Sequence, residues 1–246
     1  MLTFSQVVLY DGAYMTENQA EHRAWQKKAL FEIMRLPTEV REYLLDCIVE
    51  PTAIRAFPGK YGKTPTGLAF PNMARAGEKK LRLKSVLVAI KRATFEVHSK
   101  ESNEQFQAWL KSLDFRSIRN KPEMANGYGA VQTLSFPYFC FFTHETLDAD
   151  APNNDILLMR NCTNLRTVTL TWYTRALRDH GTGTVKTVPR LVQQYRLEGM
   201  LEFGSLGKLY LKVPAIEPYD QLIGGLAAWF RVEHASRGRK VDVVVT

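Results

Sequence analysis

Five short segments in which apolar side chains fall on alternate positions constrain this chain more than any other feature. They are Phe95-x-Val97, Val131-x-x-Leu134-x-Phe136, Leu165-x-x-Val168-x-Leu170-x-Trp172, Leu206-x-x-Leu209-x-Leu211-x-Val213 and Val241-x-Val243-x-Val245. A two-residue period turns one face of an extended strand towards a core. Between these segments the spacing becomes helical. One helix is expected from Ser102 or Asn103 to Leu113, with Phe106, Trp109, Leu110 and Leu113 on one face. Others are expected from Asn154 to Cys162, from about Val188 to Phe203, and from Tyr219 to Ala235, with Gly238 as a C-cap. Strands that alternate with helices pair in parallel through right-handed crossovers. The class is therefore α/β with a mainly parallel sheet.

The first apolar residues of the five strands, at 95, 134, 168, 209 and 241, are 39, 34, 41 and 32 residues apart, one strand–helix unit per interval. A single unit cannot bury its own apolar face, so neighbours must stack into a continuous core. The unequal intervals leave two arrangements open, a stacked series and a compact open α/β sheet.

Upstream, residues 16–35 read as a helix capped by Thr16, with Ala20, Ala24, Lys27 (through its aliphatic stem), Phe31 and Met34 on one face. A second helix starts at Leu36-Pro37-Thr38-Glu39, where proline suits the first turn because its missing N–H would have had no intrahelical partner. Val40, Leu44, Cys47 and Ile48 continue it at helical spacing, and Pro51 closes it. Residues 51–80, with Pro51, Pro58, Pro65 and Pro71, read as irregular with at most short strands, and 81–92 read as a helix. Three regions follow: an N-terminal helical segment over 1–51, a basic Pro/Gly-rich connector over 52–92, and an α/β domain over 93–246.

At 246 residues, 45% hydrophobic and 24% charged, the chain has the composition of a folded protein with a sizeable core. No apolar run approaches the length of about 20 residues that a membrane-spanning helix needs, and the N-terminus lacks a secretory pattern. Cys47, Cys140 and Cys162 form no CxxC pair, which argues against a disulfide framework or a zinc knuckle and for the cytoplasm or nucleus. The net charge of +8 is uneven. Residues 51–100 hold eleven Lys and Arg against Glu78 and Glu96, whereas the remainder is close to neutral. Lys79, Lys80, Arg82, Lys84, Lys91 and Arg92 form the densest basic patch, a candidate contact for phosphates or nucleic acid, although 72–92 has no aromatic residue on which a base could stack.

Catalytic and cofactor patterns fail on particular positions. Gly62-Lys63-Thr64 ends like a phosphate-binding loop, but Phe57 stands where its first glycine belongs. Gly181-Thr182-Gly183 has Lys186 in place of a third glycine. Ser205 has Phe203 where a nucleophile elbow needs glycine. His22, His98, His144, His180 and His234 show no metal-ligand spacing and read as surface or locally bonded histidines. The expectation is a non-enzymatic chain with no metal, no cofactor and no small-molecule substrate, acting on a protein partner. The segment Phe136-Pro137-Tyr138-Phe139-Cys140-Phe141-Phe142 is either a buried layer or, if exposed at a strand end, an anchoring patch.

The opening Met34 to Pro51, MRLPTEVREYLLDCIVEP, together with RATFEVHSKESNEQFQAWL, NCTNLRTVTLTW and GSLGKLYLKV downstream, resembles the fungal F-box-like proteins, and the LxxLxL segments resemble leucine-rich repeats. The resemblance implies N-terminal helices followed by a leucine-rich-repeat-like strand–helix series that presents a binding surface. It also implies docking on a Skp-type adaptor of a cullin-RING ubiquitin ligase through Leu36, Pro37, Val40 and Leu44. A degenerate relative that keeps the fold without ligase association is the other reading that the resemblance allows.

Overall fold

A computed structural model describes residues 35–37, 40, 53–55, 79–116, 125–139, 153–179, 181–213 and 218–246. The chain divides into two units, Met1–Leu44 and Leu45–Thr246. The helix expected over 16–35, apart from Arg35, lies outside the described residues, as do Leu44, Cys47, Cys140, Phe141, Phe142, the 56–78 segment and three histidines, His22, His144 and His180.

The second unit is built on a parallel sheet: β1 Ala53–Arg55, β2 Thr94–Glu96, β3 Thr133–Phe136, β4 Thr167–Thr171, β5 Lys208–Lys212 and β6 Asp242–Val245. The strand order is the chain order, and every neighbouring pair is parallel. Helices α1 Lys79–Arg92, α2 Lys100–Ser112, α3 Asn154–Asn161, α4 Val188–Tyr195 and α5 Tyr219–Ser236 fill the crossovers. When each connection steps one strand in the same direction, right-handed crossovers leave the helices together on one face of the sheet. The expected α/β series with parallel strands is thus the observed architecture, and β1 with α1 adds a unit ahead of Thr94.

The apolar rows explain the stacking. Phe95, Leu134, Val168 and Leu209 are successive register partners, and Val243 completes their row. All five are essentially inaccessible to water. Phe136, Leu170 and Leu211 form a second buried row beside them. Each strand therefore covers its neighbour's apolar side chains, and burial of a Leu or Phe contributes about 1.5–3 kcal/mol. The last expected position slips by two residues: Val243, not Val241, continues the row, since Val241 precedes β6.

Local chemistry sets the helix ends. Ser99 caps α2: its side chain accepts from the N–H of Ser102, while the Ser102 hydroxyl accepts from the N–H of Ser99. This reciprocal pair starts the helix at Lys100, ahead of the expected Ser102 or Asn103. The helix expected from Val188 to Phe203 is broken. Its α-helical part stops at Tyr195, Arg196 turns left-handed at φ 54°, and a 3-10 helix continues over Leu197–Glu202. At the end of α5, Gly238 (φ 70°) donates to the Ala235 carbonyl and Arg239 donates to that of His234. This double bond through a left-handed glycine closes the helix as the sequence predicts.

Candidate interaction surface

The residues singled out in the sequence occupy different places. Leu36 and Pro37 lie between helical Arg35 and helical Val40 in the Met1–Leu44 unit; Leu36 is half-buried, and Pro37 and Val40 are exposed. The basic residues all belong to α1, but its stretch Ser85–Ile90 is buried at every consecutive position, covering the whole circumference of the helix. Lys84, Lys91 and Arg92 are half-buried and engaged with other groups. The side chains of Lys79, Lys80 and Arg82 are outside the described residues. Within the aromatic segment, Phe136 and Phe139 are buried and Tyr138 is exposed.

A different surface emerges from the alternation of the strands. With the apolar rows committed to the helix side, the intervening residues face the opposite way. Thr94, Thr133, Thr167, Lys208 and Asp242 form one lateral row; Glu96, Ser135, Thr169, Tyr210 and Val244 form the next. Glu96, Ser135, Thr169, Tyr210 and Val244 are each half-buried, as their strand neighbours shade them. The floor is low and rich in hydroxyls over β2–β4 and rises at β5. There the Lys208 ammonium lies 5.0 Å from the Tyr210 ring centroid and 3.6 Å from the Asp242 carboxylate. Tyr210, and secondarily Asp242, hold the Lys208 pKa above its ordinary value.

Aromatic side chains line the end of this face at which β2, β3 and β4 finish. His98, Tyr138 and Tyr173 each follow their strand by two residues. Tyr138 and Tyr173 stack with centroids 5.2 Å apart and planes 9° from parallel, and His98 lies 5.7 Å from Tyr138. Burial, and then Tyr138, raise the Tyr173 pKa. Glu96 holds the His98 ring at 3.3 Å, so this histidine is locally bonded as expected. Beneath the ridge, Phe139 and Tyr195 meet the Trp172 ring edge-on at 5.1 and 5.3 Å. The Tyr195 hydroxyl donates to the Ala176 carbonyl at 2.8 Å, and buried Lys186 donates to the same carbonyl at 2.7 Å and to the Tyr195 oxygen at 3.2 Å. Ala176 belongs to the 3-10 turn Thr174–Leu177 that follows Tyr173, so a lysine in the core pins the loop that carries the half-buried Tyr173 ring.

This corrects one expectation and fills a gap in another. His234 is neither at the surface nor locally bonded: it is fully buried in α5, and neither ring nitrogen has a hydrogen-bond partner among the described residues. Tyr173 was not singled out in the sequence. Its signal is its offset from a strand end, shared with His98 and Tyr138. Gly181–Gly183 lie in the turn that the Arg178–Val185 bridge closes, with Gly183 at φ 68°, and the Ser205 hydroxyl donates to the Leu165 carbonyl. Cys162 is free and buried, and burial raises its pKa. Among the described residues no helix is long and apolar enough to cross a membrane, and no three His, Cys, Asp or Glu side chains gather as a metal site.

Comparison of the chain with protein-family models, with curated proteins and with solved structures gives no match.

Proposed function

We propose that this chain is a non-enzymatic protein-interaction module that recognises its partner on the face of the sheet opposite the crossover helices, with the Tyr138–Tyr173 ridge as the anchor. The observation that carries this reading is the sequential parallel order of the strands. Among the described residues it leaves a broad hydroxyl-lined face without helices, and it brings Tyr138 and Tyr173, from the loops after β3 and β4, together at one end of that face. A rigid aromatic ridge suits the role, because the energetic centres of protein interfaces are enriched in Tyr and need little side-chain ordering on binding. Extending the F-box-like resemblance, the Leu36–Val40 segment docks on a Skp-type adaptor and the sheet face receives the substrate of a cullin-RING ubiquitin ligase. The accessibility of Pro37 and Val40 supports docking there.

Two experiments separate the halves of this proposal. Purified chain is mixed with a Skp-type adaptor, with Val40→Asp as the control; binding that the substitution abolishes supports the ligase role, and no binding by the unchanged chain removes it. Partner capture from the native cell is then compared between the unchanged chain and Thr169→Arg, which raises a charged side chain from the middle of the floor. A partner retained equally by both does not use the face. Retention on heparin that falls with salt and depends on Lys79, Lys80 and Lys84 would instead favour the basic α1 helix as the contact.

A further inference from the structure

Two neighbouring strand ends present a pair of phenols to one another. Tyr138 and Tyr173 each follow their strand by two residues, β3 and β4 pair in parallel, and the rings meet with centroids 5.2 Å apart and planes 9° from parallel. The Tyr173 side chain is hydrogen-bonded to that of Tyr138. The hydroxyl ends therefore lie together, and the ring carbons ortho to them are brought side by side. The adjacent residues lock this arrangement from beneath. Phe139 and Trp172 are buried and meet edge-on at 5.1 Å, and the Phe139 N–H donates to the Thr171 carbonyl at 3.2 Å. Beyond Tyr173, Lys186 fixes the turn Thr174–Leu177 through the Ala176 carbonyl. Tyr138 is 39% exposed and Tyr173 is half-buried, whereas Tyr128, Tyr195 and Tyr219 are buried. A small oxidant in solution reaches the stacked pair more readily than those three.

We propose that Tyr138 and Tyr173 are a site of oxidative cross-linking, at which a carbon–carbon bond between the two rings joins the loops after β3 and β4. A one-electron oxidant generated from hydrogen peroxide takes an electron from each phenol, and each hydroxyl loses its proton. The two phenoxyl radicals carry unpaired density on their ortho carbons, which bond to one another. The ortho hydrogens then move to the oxygens as protons, which restores both aromatic rings and both hydroxyls. In sum, one peroxide accepts two electrons and two protons and leaves as two waters, and the protein loses two hydrogen atoms. Rings already held in contact make the coupling a reaction within one chain, favoured over an encounter between chains. The bond closes a covalent loop around α3 and β4, and so constrains the unfolded chain as a disulfide does. This assignment goes beyond the reading of the ridge as a partner anchor and does not rest on it, since both reacting rings belong to the same chain.

Peptide mapping of the oxidised full chain tests it. The chain, kept dilute, is treated with hydrogen peroxide and a catalytic haem peroxidase, digested, and analysed by mass spectrometry. The expected product is a monomer lighter by two hydrogen atoms, in which the peptides that carry Tyr138 and Tyr173 are joined. That product should fall to background in Tyr138→Phe and in Tyr173→Phe, which keep the ring but cannot form a phenoxyl radical. It should also be lost when the unchanged chain is oxidised in urea, where the stack no longer exists. Coupling that favours other tyrosines, that joins separate chains while Tyr138 and Tyr173 stay unmodified, or that joins these two as readily in urea, overturns the proposal. Should a phenylalanine variant fail to fold by circular dichroism, the comparison of the folded and urea-unfolded unchanged chain decides.

Discussion

Replacing Asn153 with alanine should destabilise the second unit by about 2–4 kcal/mol, and the structure divides that cost between two sources. Asn153 is 4% exposed and acts in two directions. Its side-chain oxygen accepts from the N–H groups of Asp155 and Ile156 at 3.0 and 3.4 Å, which caps α3; loss of such a cap costs about 1 kcal/mol. Its amide donates at 3.0 Å to the carbonyl of Tyr195, the last residue of α4, where the left-handed turn at Arg196 ends the regular helix. That hydrogen bond is buried, and losing one partner of a buried hydrogen bond costs about 1–3 kcal/mol. Asn153→Ser retains a capping oxygen but is too short to reach Tyr195, so it should forfeit only the second part. Urea unfolding measures all three chains, with the slope unchanged because the same surface is exposed on unfolding. If alanine costs under about 0.5 kcal/mol, or serine costs as much as alanine, then Asn153 does not tie two strand–helix units together and the reasoning is wrong.

Other outcomes follow from single residues. Arg196→Val places a β-branched side chain at φ 54° and should lower stability by roughly 1–2 kcal/mol in the same assay, whereas Arg196→Gly should not. Gly127→Ala would set its Cβ 2.8 Å from Leu110 Cδ2 and 3.0 Å from the Leu110 carbonyl, so a loss of about 1–3 kcal/mol is expected, read as a lower thermal midpoint. For His234, burial, then Arg239 and Arg237, lower the folded-state pKa below the ordinary 6.5. As pH falls through 6.5 the unfolded chain takes up a proton that the folded chain refuses, so stability present above that pH is lost towards the lower folded pKa, by at most about 1.4 kcal/mol per pH unit. His234→Leu should match the unchanged chain to within about 1 kcal/mol at neutral pH and lose less stability on acidification; an equal loss would show that His234 does not titrate differently on folding.

Much of this fold was legible in the sequence because strand alternation is a direct record of burial. Phe95, Leu134, Val168 and Leu209, each read as the first apolar position of its strand, occupy one row. Register is less visible than face. Val241 and Val243 have the same parity, so a slip of two keeps every side chain on its side, and only pairing distinguishes them. The break at Arg196 was hidden for a related reason: Leu191, Val192 and Tyr195 before it and Met200 and Leu201 after it are all buried, so the apolar pattern runs on while the backbone turns. No glycine stands at the turn to announce it. Among Ser99, Ser102 and Asn103, composition could not pick the cap, since all three side chains accept hydrogen bonds.

The candidate surface was harder to read, because it is made by neighbours 35–40 residues apart. Tyr138 and Tyr173 meet only once β3 and β4 are in register. The basic residues of α1 form a compact cluster in sequence, but Val86–Ile90 between Lys84 and Lys91 is enclosed on all sides, so the charges at the two ends of the helix are separated by a buried stretch.

The stacking of parallel strands in chain order, with the hydroxyl-lined residues together on one face, is tested most directly by disulfide trapping across β3 and β4. Thr133 and Thr167 are Cα partners on the hydroxyl-lined face, and parallel neighbours about 4.8 Å apart are within disulfide reach. Oxidised Thr133→Cys/Thr167→Cys should cross-link intramolecularly in the folded chain, mapped by mass spectrometry. Thr133→Cys/Thr171→Cys, offset by about 13 Å along the strand, should not. Cross-linking of the second pair in place of the first would mean that the strands run antiparallel, and the hydroxyl-lined face would not exist as described.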